Sequence, residues 1–137
     1  MNLRSARSFP RRRGAAVVET ALALVLLILI LLGVLEYGWL FVRFQQIRNA
    51  ARHGVRVAVT QDSTLGDVDT AISQLMANAK IPTYTATYPD PGLVVPGTAY
   101  TVTITVDTDV VQLTNFALFP KPAQMSSSVT MRKEGVP

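Results

Sequence analysis

The apolar positions of this chain follow three patterns in turn: unbroken, helical and alternating. From Ala15 to Leu35 every residue is apolar except Glu19, Thr20 and Gly33. At the helical rise that run spans about 30 Å, the thickness of one hydrocarbon core, so the pattern predicts a membrane-spanning helix. Beyond it Tyr37, Leu40, Phe41, Phe44, Ile47, Ala51, Val55 and Val59 recur at three- and four-residue intervals, which continues the helix as an amphipathic stalk to about Val59. A helix from Ala15 to that point has about 45 residues and a length on the order of 67 Å.

Thr60-Gln61-Asp62-Ser63 then breaks the pattern. Ser63 or Thr64 is placed to cap a second helix, whose apolar face is Val68, Ala71, Ile72, Leu75, Met76 and Ala79 and whose end falls near Lys80, before Pro82. From Tyr84 the period drops to two. Tyr84, Ala86 and Tyr88 mark a short strand closed by the turn Pro89-Asp90-Pro91-Gly92; Tyr100, Val102, Ile104 and Val106 alternate with threonines in a second; a third runs from about Ala123 to Lys133, after a Phe116–Pro122 loop. The expected class is α+β: a long N-terminal transmembrane and stalk helix, a second helix and a small antiparallel sheet. The expected divisions are a leader at 1–14, a transmembrane helix at 15–36, a stalk at 37–60 and a head at 61–137.

Composition alters this picture at one end. The chain has 137 residues and a formal charge of +4, room for one small domain and an added element. Arg4, Arg7, Arg11, Arg12 and Arg13 all precede Gly14, and without them 8 basic residues face 9 acidic ones. The basic bias belongs to the leader, so the charge does not argue for a nucleic-acid partner. The arginines before Gly14 favour a cytoplasmic N-terminus and an extracytoplasmic C-terminal domain, although Arg43, Arg48, Arg52 and Arg56 stand beyond the run. Tyr37, Trp39 and Phe41 fit an aromatic belt at the outer interface. With no cysteine, disulfides and thiolate metal sites are excluded.

The residue out of place is Glu19, a carboxylate near the start of an apolar run, where a charge in hydrocarbon costs several kcal/mol. A secretory signal peptide does not account for it: the run is followed by Glu36-Tyr37-Gly38-Trp39-Leu40-Phe41, without a small-residue cleavage site. Snorkelling to the headgroups is one solution. A positive partner is another.

A basic leader ending in Gly14, then Ala15-Ala16-Val17-Val18, a glutamate fifth after the glycine and an apolar helix resemble the class III signal of type IV pilins and pseudopilins. More narrowly, RRRGAAVVETALALVLLILILLGVLEYG with NAARHGVRVAV resembles the TadE-like family, minor pseudopilins of the Flp/Tad pilus system, and SSSVTMRKEG is similar to the closing strand of such proteins. Thr20 departs from the pattern, since many of these proteins carry Phe or Tyr there. The resemblance implies a pilin-like fold and cleavage between Gly14 and Ala15 by an aspartic prepilin peptidase at the bacterial cytoplasmic membrane. It also implies assembly with other pilin or pseudopilin subunits and the pilus machinery, in the service of adhesion and surface attachment. Cleavage would free an α-amine at Ala15, with a pKa near ~8. Glu19 lies one helical turn on, where it could meet that amine or a neighbouring subunit's. The alternative is an uncleaved single-pass anchor presenting an extracytoplasmic binding domain.

The remaining candidates are weaker. Ala50, Gly54 and Ala58 form a small-residue stripe suited to helix packing, against the chain's own sheet or another subunit. Arg48, Arg52 and Arg56 form a cationic row that reads as a solvated face. His53 has no metal-ligating companion in sequence, and Asp107-Thr108-Asp109 lacks the loop of a calcium site. No catalytic constellation or cofactor motif is present in the sequence, and the expectation is a protein that is not an enzyme.

Overall fold

The computed structural model describes residues 12–114 and 120–135. Leader residues 1–11 and residues 115–119 of the loop read between the last two strands lie outside the described residues. Helix α1 runs Arg12–Ala58 and α2 Leu65–Asn78; β1 is Thr85–Thr87, β2 Ala99–Asp107, α3 the single turn Thr108–Val111, and β3 Gln124–Arg132. This is the α+β arrangement expected from the patterns. The chain divides into two compact units, Met1–Leu35 and Glu36–Pro137, and α1 contributes to both.

In the first unit every residue from Gly14 to Leu31 is exposed. Val17, Leu22, Leu26, Leu27 and Ile30 are among the bare side chains, and the helix reaches a mean hydropathy of 2.9. A contiguous apolar surface of this extent marks a lipid or protein interface rather than a water-facing one, and α1 is long and apolar enough to cross a bilayer. It fits a single-pass membrane protein. Thr20 sits in this run without leaving a bare hydroxyl, because its Oγ1 donates to the Ala16 carbonyl at 2.9 Å, the internal satisfaction that a low-dielectric surrounding demands.

The second unit has a core of its own. Leu40, Ile47, Ala50, Ala51, Val55 and Ala58 of α1 pack with Val68, Ile72 and Met76 of α2 and with Tyr100, Val102, Ile104 and Val106 of β2. The sheet order is β1-β2-β3, antiparallel throughout. Strict alternation along β2 buries Tyr100, Val102, Ile104 and Val106. The threonines between them face outward and bond across to β3, Thr101 to Thr130 at 2.8 Å, Thr103 to Ser128 at 2.8 Å and Thr105 to Ser126 at 3.1 Å. Such cross-strand hydroxyl pairs fix the register as the buried face does. Tyr84, Ala86 and Tyr88 are all half-buried against the core, but only Thr85–Thr87 pair with β2, so the strand is shorter than its alternation.

Thr64, rather than Ser63, caps α2: its side chain accepts from the Asp67 N–H, and the Asp67 carboxylate accepts from the Thr64 backbone N–H at 3.0 Å, a reciprocal capping box. These Thr64 bonds stabilise the charged carboxylate and hold the Asp67 pKa below its ordinary value. Ser63 turns the other way, donating to the Ala58 carbonyl at 2.7 Å. α2 stops at Lys80, whose φ is 55, with Ile81 N–H bonded to Met76 O and Lys80 N–H to Ala77 O. That is a Schellman motif completed by the buried pair Met76 and Ile81.

Candidate functional site

The residues singled out in the sequence fall into two groups, one in each unit. Gly14, Ala15 and Glu19 stand on the first turns of α1, all exposed. A Cβ added at Gly14 would meet no atom within 4 Å, so packing gives no reason for glycine there. Glu19 follows Ala15 by one helical turn and shares its face. Among the described residues no group of the chain donates a hydrogen bond to the Glu19 carboxylate or pairs with it as an ion.

Ala50, Gly54 and Ala58 are buried in the second unit. A Cβ at Gly54 would lie 2.7 Å from Ile72 Cγ1 and 3.7 Å from Val102 Cγ1. The stripe is therefore occupied chiefly by α2, with β2 behind it, and glycine is required by close approach. Arg48, Arg52, Arg56 and His53 are exposed on the opposite side of the same helix.

The opposite end of the apolar run carries a second carboxylate whose role the sequence reading missed. Glu36, the residue after Leu35, is only 5% exposed. It accepts from Leu113 N at 3.3 Å, from Thr114 N at 3.0 Å and from Thr114 Oγ1 at 2.6 Å. Two backbone amides and a hydroxyl aimed at one carboxylate make a built anion site inside the protein. Its neighbours on α1 hold the same part of the head. Tyr37 OH donates to Pro120 O at 2.5 Å, and Trp39 Nε1 donates to Val111 O at 2.8 Å. The polar ends of two of the three aromatics read as an interfacial belt are thus engaged with head carbonyls, while Phe41 remains exposed.

One turn further, Arg43 stacks over Trp39, 4.4 Å from the ring centroid, and its Nη1 donates to Gln46 Oε1 at 3.0 Å and to Ala79 O at 2.5 Å. The guanidinium meets the negative end of α2 there. At the other end of the stalk Lys133, also 5% exposed, donates to Ala58 O at 2.9 Å, Thr60 O at 2.7 Å and Ser63 Oγ at 3.1 Å. All three ammonium protons are matched, two of them by carbonyls at the C-terminal end of α1. The signal for Glu36 was present in the sequence as an acidic residue closing an apolar run. Nothing in the sequence pointed to Lys133, which read as the end of a strand.

Tyr84, Tyr88 and Tyr100 have hydroxyl pKa values raised above the ordinary one. Burial, then the nearby Asp90, pushes the Tyr100 hydroxyl up to about 12, and Tyr100 donates to Pro89 O at 2.5 Å. Tyr88 is raised by burial and by Asp69, to which it donates a hydrogen bond, and Tyr84 by burial and then Asp69. These groups lock β1 and the Pro89–Pro91 turn to their surroundings. Among the described residues no group of three or more His, Cys, Asp or Glu is disposed to hold a metal ion.

No curated protein and no solved structure matches the chain. The model of the TadE-like protein family does match, over residues 14–56, a segment that opens on Gly14 and takes in Glu19, the whole apolar run, Glu36 and the arginine row. Over that segment the chain is similar to the TadE-like proteins.

Proposed function

We propose that this chain is a minor pseudopilin-like subunit, processed between Gly14 and Ala15 by a prepilin peptidase and working by assembly into or beneath a pilus that serves adhesion. The observation that carries the reading is the state of Glu19: exposed, on an apolar helix, one turn beyond Ala15 and without a partner among the described residues. Cutting before Ala15 creates an ammonium on the same helical face, and in a low-dielectric setting that pair is far stronger than it would be in water. Gly14 and Ala15 lie in the first turns of α1, where backbone N–H groups have no intrahelical partner and local unwinding into a peptidase costs little. The bilayer holds the subunit with its N-terminus cytoplasmic and its head outside until neighbouring subunits or the assembly machinery engage the helix. The head's surface carries the contacts that differ between subunits, with neither a cofactor nor nucleic acid involved.

N-terminal sequencing of the membrane-extracted protein, co-expressed with a prepilin peptidase, tests the reading. Ala15 as first residue is the expected result. Met1 retained under those conditions overturns the processing and leaves a permanent single-pass anchor.

A further inference from the structure

We infer that the open edge of β3 is a self-association surface, at which a second copy of this chain adds its own β3 antiparallel about Ser128 and joins two three-stranded sheets into one. The inference stands whether or not the chain is cut at Gly14. The two edges of the sheet are built differently. β1 pairs over three residues and is followed by Pro89 and Pro91, a short edge of the kind that discourages strand addition. β3 runs for nine residues, QMSSSVTMR, with no proline and no charge before Arg132. The ladder to β2 fixes which of its backbone groups are unused. Just beyond the two ends of that ladder, Lys133 N–H donates to Thr98 O at 2.9 Å and Thr108 N–H to Ala123 O at 3.0 Å. The alternation of an antiparallel pair therefore gives the odd-numbered residues of β3 to β2 and turns the N–H and C=O of Gln124, Ser126, Ser128, Thr130 and Arg132 away from it. Among the described residues no group bonds to those amides or carbonyls.

The pattern on this strand is complementary to itself. Antiparallel pairing of two copies about Ser128 sets Ser128 against Ser128, Ser126 against Thr130 and Gln124 against Arg132, so each outward amide of one copy meets an outward carbonyl of the other. The side chains agree with that register. Ser126, Ser128 and Thr130 stand on the outer face, where they already take hydroxyl partners from β2 at 2.8 to 3.1 Å, and the same hydroxyl pairing repeats across the new seam. On the inner face Met125 comes opposite Met131, which is 37% exposed, and Ser127 opposite Val129. Arg132 meets Gln124, so no like charges oppose each other. A second copy fits better than a charged or an apolar partner because the edge offers backbone groups and hydroxyls in place of ionic groups or a greasy groove. The complement it calls for is a strand with hydroxyls at alternate positions and a free edge, and β3 is such a strand; β2 has the same alternation but is paired on both sides.

The absence of cysteine makes a direct test available. The full chain in detergent is prepared as Ser128→Cys, Ser126→Cys, Thr130→Cys and Thr87→Cys, the last an exposed position on the outer face of β1, and disulfide-linked dimer is timed under a mild oxidant. Directly opposed residues of such a pair have Cα atoms about 5.5 Å apart, within disulfide reach. Ser128→Cys is expected to link several-fold faster than Thr87→Cys. An equimolar mixture of Ser126→Cys and Thr130→Cys is expected to link several-fold faster than either variant alone. Linking at 128 no faster than at 87 overturns the seam, and linking of either single variant as fast as the mixture overturns the register about Ser128. A second measurement needs no substitution. Hydrogen exchange at the amides of Ser126, Ser128 and Thr130 in the parent chain should slow several-fold as its concentration is raised, and exchange at those amides that ignores concentration overturns the proposal as well.

Discussion

The two glutamates that bracket the apolar run have the same side chain and opposite circumstances. Glu36 is buried and answered by three donors from a segment more than seventy residues away in the chain. Glu19 is exposed, and no described group of its own chain answers it. One carboxylate ties the head to the stalk; the other has no partner among the described residues of its own chain. The difference teaches that a charge at the edge of a membrane helix has two separate readings, and that only the tertiary partners tell them apart.

Breaking the Glu36 end carries the largest expected effect. Glu36→Ala leaves the amides of Leu113 and Thr114 without their acceptor, a loss of about 3 kcal/mol. Urea unfolding of the full chain in detergent, followed by the fluorescence of Trp39, the single tryptophan, reads that loss. A variant as stable as the parent would show that the carboxylate is dispensable to the head. Next in size is the stripe further along the same helix. Gly54→Val forces Ile72 to move, because even a single added carbon would lie 2.7 Å from it, and overpacking of this kind costs about 2 kcal/mol. The same measurement would return an unchanged midpoint if the stripe faced another subunit instead of α2.

Alkaline titration separates the two regions by a different route, since all four tyrosines lie beyond Leu35. The Tyr100 hydroxyl is raised to about 12, by burial first and Asp90 second, above its unfolded value near ~10. Its contribution to stability is complete below pH ~10 and is lost as pH rises through the folded value near 12. The Trp39 signal should therefore report the head loosening across that window, while the circular dichroism of the membrane helix persists. Loss of both signals together would mean that the two regions do not melt separately. The smallest effect on stability is expected at Glu19. Glu19→Ala should change the unfolding midpoint by no more than about 0.5 kcal/mol yet abolish assembly, measured as surface pili in a strain that processes the variant normally. Normal piliation would remove the pairing argument.

Most elements of the fold were legible because their signals are local. The 3.6-residue period placed α1 and α2, the alternation at Tyr100–Val106 placed β2, and Pro82 and the Pro89–Gly92 turn placed two boundaries, each within a few residues of the observed bounds. The α3 turn was not legible, since Thr108–Val111 has one helical turn and no period to display. Of the proposed sites, Glu19 stands out as a carboxylate within an apolar run, whereas Gly14 and Ala15 rest on the resemblance to a pilin signal. For Ala50, Gly54 and Ala58 the sequence offered a choice between the chain's own sheet and another subunit, and α2 proved to be the main neighbour of Gly54.

By itself, then, the sequence determined the periodic elements, the long apolar run and the position of a carboxylate near its start, because these depend on neighbours within a few residues. Only the tertiary structure decided that Glu36 is an internal anchor, that Arg43 meets the end of α2 and that Lys133 closes the end of α1. Each of these charges is held by polar groups far away in sequence. Which of them comes within hydrogen-bond distance is set by how β2, β3 and α2 close around the stalk.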